Sequence, residues 1–317
     1  MTTIKDIAKL AGVSITTVSR VLNNHPYVNI DKRNKVQEII NELNYQQNSN
    51  AIHLVKGKTL TIGVICPYFD GTYFQTLIKG ITDEAFKNNY SVMLCPTNYD
   101  KKQELKYLNM LKTKQLDGVI ICSRANHWEE IYPFLEFGTI VICEYAEGFP
   151  CVYTNHYDAF SNAIKYLIEE GHLNIGYCIG RKNSLNSRTR ASAYRAELKR
   201  IQQPIQESWI FTDCYSIDDG KDVLKKFLSL KKRPTAILVN GDSIAAGIII
   251  QAKKEGIRIP EDLAIIGFDN QVMAEVLDLT TIDQNLVEIG LQAFTLFINN
   301  ENKKIEIPFS IIKRKTV

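Results

Sequence analysis

Hydrophobic positions change rhythm near residue 60. Before it, apolar residues recur at intervals of three and four; after it, they gather into short continuous runs separated by amphipathic stretches. The first rhythm predicts helices, and the second predicts parallel sheets covered on both faces. Thr3-Ile4-Lys5-Asp6 has the spacing of a capping box, so a helix is predicted from Ile4 to about Leu10, with Ile7, Ala8 and Ala11 turned inward. Gly12 allows the left-handed turn that ends it. Ser14 then caps a second helix, Ile15 to about Asn23, whose inward stripe is Val18, Val21 and Leu22. A third helix, from about Ile30 behind Asn29, turns Val36, Ile39, Ile40 and Leu43 inward. Two short helices joined by a glycine turn and closed by a third form a helix-turn-helix bundle.

From Leu60 the β-rich runs are 60–66, 90–95, 118–122, 139–144, 175–179, 235–239 and 263–268. Helical patterns fill 73–88, 101–113, 156–170, 188–200, 217–230 and 243–255. Alternation of this kind makes an α/β class core, and about 260 residues of it suggest two lobes.

Charge sharpens the division. Residues 1–58 carry a net +4 and the rest −1, so all the excess positive charge lies in the helical module, as binding to a phosphate backbone requires. No apolar run approaches the roughly 18 residues of a membrane span, and the first residues lack a signal peptide's apolar stretch, so a cytoplasmic protein is expected. The seven cysteines form no C-x-x-C pair and sit in apolar runs, and the histidines have no ligand spacing; no metal site is expected. Neither a G-x-G-x-x-G turn, a phosphate-binding P-loop nor a G-x-S-x-G elbow is present. No cofactor and no enzymatic activity are therefore expected.

The second helix exposes Thr16, Thr17, Ser19, Arg20 and Asn23, short donors and acceptors beside one guanidinium, which is chemistry suited to base edges and phosphates. The whole run T-I-K-D-I-A-K-L-A-G-V-S-I-T-T-V-S-R-V-L-N, residues 3–23, closely resembles the signature of the lac repressor family. The resemblance implies that Ile15, Thr16 and Arg20 approach bases in the major groove while Thr17, Ser19 and Asn23 mainly fix the backbone. Ile15 is contested, because its spacing to Val18 and Leu22 would put it in the core. The first turn of a recognition helix projects beyond the domain body, which favours the groove.

The resemblance also implies domains at 1–46 (DNA binding), 47–58 (hinge) and 59–317 (effector binding and dimerisation), the last with lobes at about 59–155 plus 285–317 and about 156–284. In the hinge, Leu54 occupies the position of a leucine wedge in the minor groove, with Asn48 and Ala51 ahead of it and Gln47 where many members have proline. The core resembles a periplasmic sugar-binding protein. Effector contacts are implied at Tyr73, Phe74, Ser123, Glu144 and Tyr153 on the first side, at Arg190, Tyr215, Asp242 and Asp269 on the second, and at Gln284 near a crossover. Arg190 belongs to S-R-T-R-A-S-A-Y (187–194), which matches the family's effector-gripping segment, whereas Gly241 departs from the polar residue of sugar-responsive members. Asp242 and Asp269 each follow a strand and could equally cap helices.

The implied protein is a homodimeric repressor of carbohydrate or catabolite genes. Its partners would be a pseudo-palindromic DNA operator and a sugar or sugar phosphate. Two alternatives stay open: a catabolite regulator whose corepressor is a phosphorylated carrier protein docking on helix 76–88, and a sugar-binding protein with no regulatory role.

Overall fold

The computed structural model describes residues 2–46, 57–69 and 71–317. The chain divides into two compact units, Met1–Thr59 and Leu60–Val317. In the first unit, α1 (Ile4–Ala11), α2 (Ile15–Leu22) and α3 (Ile30–Glu42) pack around Ile7, Val18 and Val36, which are fully buried. All three expected caps form. Thr3 and Asp6 exchange hydrogen bonds (the Asp6 amide to Thr3 Oγ1 at 3.4 Å, the Thr3 amide to Asp6 Oδ2 at 2.9 Å), the Thr17 amide donates to Ser14 Oγ at 3.1 Å, and the Asp31 amide donates to Asn29 Oδ1 at 2.9 Å. Each cap satisfies amides that the first helical turn leaves without partners. Leu43 is a correction: it is the C-cap of α3 and 37% exposed, because the helix ends before it can join the inward stripe.

The second unit holds two lobes. The first comprises β1 (Thr61–Cys66), α4 (Thr72–Lys87), β2 (Ser91–Pro96), α5 (Lys101–Lys112), β3 (Gly118–Ile121), α6 (Trp128–Ile131), β4 (Thr139–Ile142) and β5 (Cys151–Tyr153). The chain then crosses to α7 (His156–Glu169), β6 (Ile175–Cys178), α8 (Leu185–Arg200), β7 (Ile210–Phe211), α9 (Ile217–Ser229), β8 (Ala236–Leu238), α10 (Asp242–Lys254), β9 (Ala264–Phe268), α11 (Val272–Val276) and β10 (Thr281–Asp283). It returns for α12 (Leu286–Ile298) and β11 (Lys304–Glu306), and crosses once more to β12 (Ser310–Ile312). The sheet orders are β11-β5-β4-β3-β1-β2 and β12-β10-β9-β8-β6-β7, parallel throughout except for the antiparallel β10–β12 pair.

Period-two alternation explains the double burial. On β3, Ile120 faces one cluster while Val119 and Ile121 face the other; on β9, Ala264, Ile266 and Phe268 oppose Ile265 in the same way. In each lobe one pair of covering helices touches through glycine. A Cβ on Gly80 of α4 would lie 2.0 Å from the Val287 carbonyl of α12, and one on Gly247 of α10 would lie 2.0 Å from that of Ile217 in α9. Any side chain there would force the helices apart.

The expected lobe boundary needs correcting at its end. Residues 285–317 do not all belong to the first lobe. β12 extends the second sheet, Phe309, Ile311 and Val317 pack into the second core, and Thr316 Oγ1 donates to the Ile265 carbonyl at 2.6 Å. The open edge of β10 has backbone groups to satisfy, and the chain end supplies them.

Candidate functional site

Two surfaces carry the candidate chemistry. On α2, Val18 and Val21 hold the helix against its bundle, which leaves Thr16, Arg20 and Asn23, spaced i, i+4 and i+7, on one exposed face. Ile15 is 45% exposed, outside the core as the groove assignment requires. Thr17 and Ser19 are half-buried, and both have partners within the helix: Thr17 Oγ1 meets Ser14 Oγ at 2.9 Å, and Asn23 Nδ2 donates to the Ser19 carbonyl at 2.8 Å. The exposed face of α2 is therefore led by Ile15, Thr16 and Arg20. Tyr27, 85% exposed just beyond α2, went unmarked in the sequence because a lone aromatic in a polar turn has no periodic signal. Asn48, Ala51 and Leu54 lie outside the described residues.

The second surface is a cleft of about 200 Å³ between the lobes, and strand ends and helix starts bring side chains to it from both walls. Of the residues implied at the sequence level, Tyr73, Phe74, Ser123, Glu144, Arg190, Tyr215 and Asp269 line it. Arg190 projects from α8 onto the ring of Phe268, 4.1 Å away, and its Nη2 lies 3.2 Å from His156 Nδ1. Burial pulls the Arg190 pKa down, and burial followed by the Arg190 charge pushes His156 well below the usual imidazole value. The imidazole is thus neutral and can accept from the guanidinium. Arg190 Nε is buried with no hydrogen-bond partner among the described residues, as is Asn240 Oδ1. Buried polar atoms of this kind are rare and mark where a ligand can complete a network.

Asp269 faces Arg190 across the cavity from a backbone held at φ 99°. A left-handed conformation at a residue other than glycine costs on the order of 1–3 kcal/mol, so the surroundings must impose it. They do: the Asp269 amide donates to the Ile282 carbonyl at 2.8 Å, and Gln284 Nε2 and Gln271 Nε2 donate to its carboxylate at 2.5 and 3.3 Å. Burial, and then the neighbouring Asp242, push its pKa up to about 7. Burial also raises Glu144, which lies 3.5 Å from Arg124.

Three expected contacts do not reach the cavity. Asp242, fully buried, accepts from the Thr281 hydroxyl at 2.6 Å and the Gln271 amide at 2.7 Å, which draws its carboxylate behind the cleft wall. Its pKa rises to about 6, with burial the main cause. Gln284 is likewise buried and supports Asp269 from behind. Tyr153 shares a face of β5 with Cys151, so alternation turns it toward Tyr145, 5.2 Å away, and not toward the ligand space. Asp269 caps no helix, and the N-cap position before Asp242 belongs to Gly241.

Several other lining residues carry no sequence signal, among them Tyr99, His156, Arg181 and Gln271. Three of these take part in contacts between the lobes. Arg181 stacks on Tyr99 of the opposite lobe at 3.7 Å and donates to Ser123 Oγ at 3.3 Å, and the Thr72 hydroxyl bonds Gln271 Oε1. An exposed charge after a strand is common enough that only the folded chain marks Arg181. On α4, the charges considered for a protein partner pair with one another, Lys79 with Asp83 and Lys87 with Glu84. No helix among the described residues is long and apolar enough to cross a membrane.

Comparison with known proteins matches both parts of the chain to one family. Residues 3–48 match the profile of bacterial regulatory proteins of the lacI family, and residues 59–315 match that of periplasmic binding proteins and the sugar-binding domain of the LacI family. The chain is 41% identical to the NTD biosynthesis operon regulator NtdR of Bacillus subtilis, covering 100% of this chain and 98% of that protein. It is 40% identical to catabolite control protein B of the same organism, covering 99% and 100%. In structure it is similar to the lac repressor dimer bound to operator and an anti-inducer, with a TM-score of 0.86 at 24% identity over 99% of this chain and 98% of that one.

Proposed function

The chain belongs to the LacI family of bacterial transcriptional regulators, and from that premise we propose a homodimeric repressor of carbohydrate or catabolite genes whose hold on DNA is set by a small polar ligand between its lobes. It is a regulator and not an enzyme. The observation that carries the ligand part is the convergence of Arg190 and Asp269, each 8% exposed, on one cavity with aromatic walls. A guanidinium and a carboxyl offer charge-assisted hydrogen bonds to hydroxyls, while Tyr73 and Phe74 cover the apolar side of a ring. At about 200 Å³ the cavity falls below the roughly 300–1,000 Å³ of drug-sized sites, which suits one small ring.

A ligand can move the DNA affinity only if it prefers one lobe arrangement. Arg181 and Thr72 reach across the cleft, so a ligand that adds contacts to both walls favours the closed arrangement. In DNA recognition we assign base contact to Ile15, Thr16 and Arg20, backbone contact to Thr17, Ser19 and Asn23, and a minor-groove wedge to Leu54 behind Asn48 and Ala51. Dimerisation is supported by the likeness of the fold to the lac repressor, which was solved as a dimer. A phosphorylated carrier protein as corepressor is the competing regulatory reading, supported by the likeness to catabolite control proteins; a pull-down with the carrier in both phosphorylation states separates the two.

The direct test is a gel shift of the full chain on operator DNA selected from random duplexes, with and without sugars that raise its melting temperature. We expect sequence-selective binding that changes at least fivefold with ligand. Absence of selective binding at low salt would end the regulator reading for this chain. In the same assay Leu54→Ala should weaken specific binding by about 1–3 kcal/mol, the order of the unstacking and contact terms a wedge controls, and unchanged affinity would remove the wedge.

A further inference from the structure

The interlobe cleft has an outer chamber. Past Glu144, Arg181 and Ser184, which line both spaces, lies a cavity of about 420 Å³ whose walls carry three guanidinium groups, Arg124, Arg181 and Arg188, against the single carboxylate of Glu144. Arg124 follows β3 on the first lobe, whereas Arg181 and Arg188 follow β6 and sit on α8 of the second, so positive charge approaches from both sides. Guanidinium cannot relieve such crowding by losing a proton.

The protein leaves many of these donors unused. Arg124 stacks on Trp128 at 4.1 Å and gives Nη1 to the Asn126 carbonyl at 2.6 Å, but its buried Nε, 3.5 Å from Glu144 as an ion pair, has no hydrogen bond among the described residues. Arg181 spends one nitrogen on Ser123 and forms no ion pair within the described residues. Arg188 is exposed, and among the described residues its side chain has neither a hydrogen bond nor a salt bridge. Stacking on Trp128 and Tyr99 fixes the planes of two guanidinia in advance, which lowers the entropy lost when they grip a planar or tetrahedral oxyanion.

We propose that this outer chamber is an oxyanion subsite, in which Arg124, Arg181 and Arg188 hold the phosphate or carboxylate of a small ligand whose polar ring lies between Arg190 and Asp269. The proposal rests on the reading that the inner cavity binds a ligand, and it names that ligand's class: an acidic sugar derivative, not a neutral sugar. Because the arginines come from both lobes, the bound anion ties the walls together and supplies the differential contact that a lobe switch needs.

The test uses the full chain in phosphate-free buffer, titrated by calorimetry with inorganic phosphate, glucose, glucose 6-phosphate and glucuronate. Arg188→Gln and Arg124→Gln are measured beside it. We expect an acidic probe to bind and each substitution to weaken it about tenfold, the size of one charge-assisted hydrogen bond, while glucose binding stays within about twofold. Glucose 6-phosphate binding tighter than both glucose and inorganic phosphate assigns a phosphate ester, glucuronate in that position assigns a carboxylate, and inorganic phosphate alone assigns a free anion. Anion binding that is absent, or that both substitutions leave unchanged because it occurs on the basic N-terminal module, overturns the subsite. Among the described residues the Arg188 side chain has no partner to lose, so a folding defect cannot imitate the result. If the substitutions weaken anion binding but no anion alters operator affinity, the subsite stands and the effector reading falls.

Discussion

The face of α2 and the walls of the cleft present their polar groups in opposite ways. On α2, Thr16 and Arg20 stand in solvent on a helix that Val18 and Val21 anchor to the rest of the bundle. In the cleft, Arg190 and Asp269 are buried, one stacked on Phe268 and the other fastened by Gln284 and Gln271. Groups that face water before DNA arrives can change with little effect on stability. Buried groups held by remote partners cannot, since removing one leaves its partners unsatisfied. The contrast predicts that DNA recognition and folding are separable by mutation, whereas ligand recognition and folding are coupled.

The largest expected effect tests the coupled side. Arg190→Met keeps an unbranched side chain over Phe268 but deletes the guanidinium, and should weaken the ligand chosen by a thermal-shift screen by about 3 kcal/mol, over a hundredfold, as expected for a buried charged contact. Operator binding should persist but no longer respond to that ligand; a normal response would show that Arg190 does not touch it. Asp242→Ala comes next. It strands the Thr281 hydroxyl and the Gln271 amide, so urea unfolding should report a loss of about 2–3 kcal/mol although Asp242 does not line the cleft. A loss below about 0.5 kcal/mol would mean that water replaces the carboxylate there.

The separable side should respond in the reverse sense. Thr16→Ala should lower discrimination at one base position by about 1–2 kcal/mol while unfolding free energy stays within about 0.5 kcal/mol. Comparable losses in both would break the distinction. The smallest effect is one of pH. Asp269 titrates near 7 in the folded chain but near 3.9 when unfolded, so the folded form holds its proton more tightly and stability declines as pH rises through about 7. Asp242, at about 6, acts in the same direction. Burial keeps His156 neutral, which acts oppositely, but only below the usual imidazole value of about 6.5. From about pH 6.5 to 8, the Tm of the ligand-free protein should therefore fall, and Asp269→Asn should flatten the curve.

Legibility in the sequence followed the same division. The caps at Thr3, Ser14 and Asn29 and the long strands were readable because each depends on neighbours within four residues or on period-two alternation. α12 is not legible in the sequence, since LVEIGLQAFTLFI is apolar nearly all round and carries no helical period. β5, β7, β10, β11 and β12, of two or three residues each, are too short to leave a pattern.

By itself the sequence determined a basic helix-turn-helix ahead of an α/β core and, through one long signature, the outward face of α2. Only tertiary structure decided which polar residues after the strands meet: Arg190 and Asp269 face each other, Asp242, Gln284 and Tyr153 turn away, and Arg181 crosses from the other lobe. The reason is the range of the interactions. Caps and helical stripes are settled between near neighbours, whereas the cleft is assembled from segments more than a hundred residues apart, and β12 shows that even the chain end can change lobes to satisfy an open sheet edge.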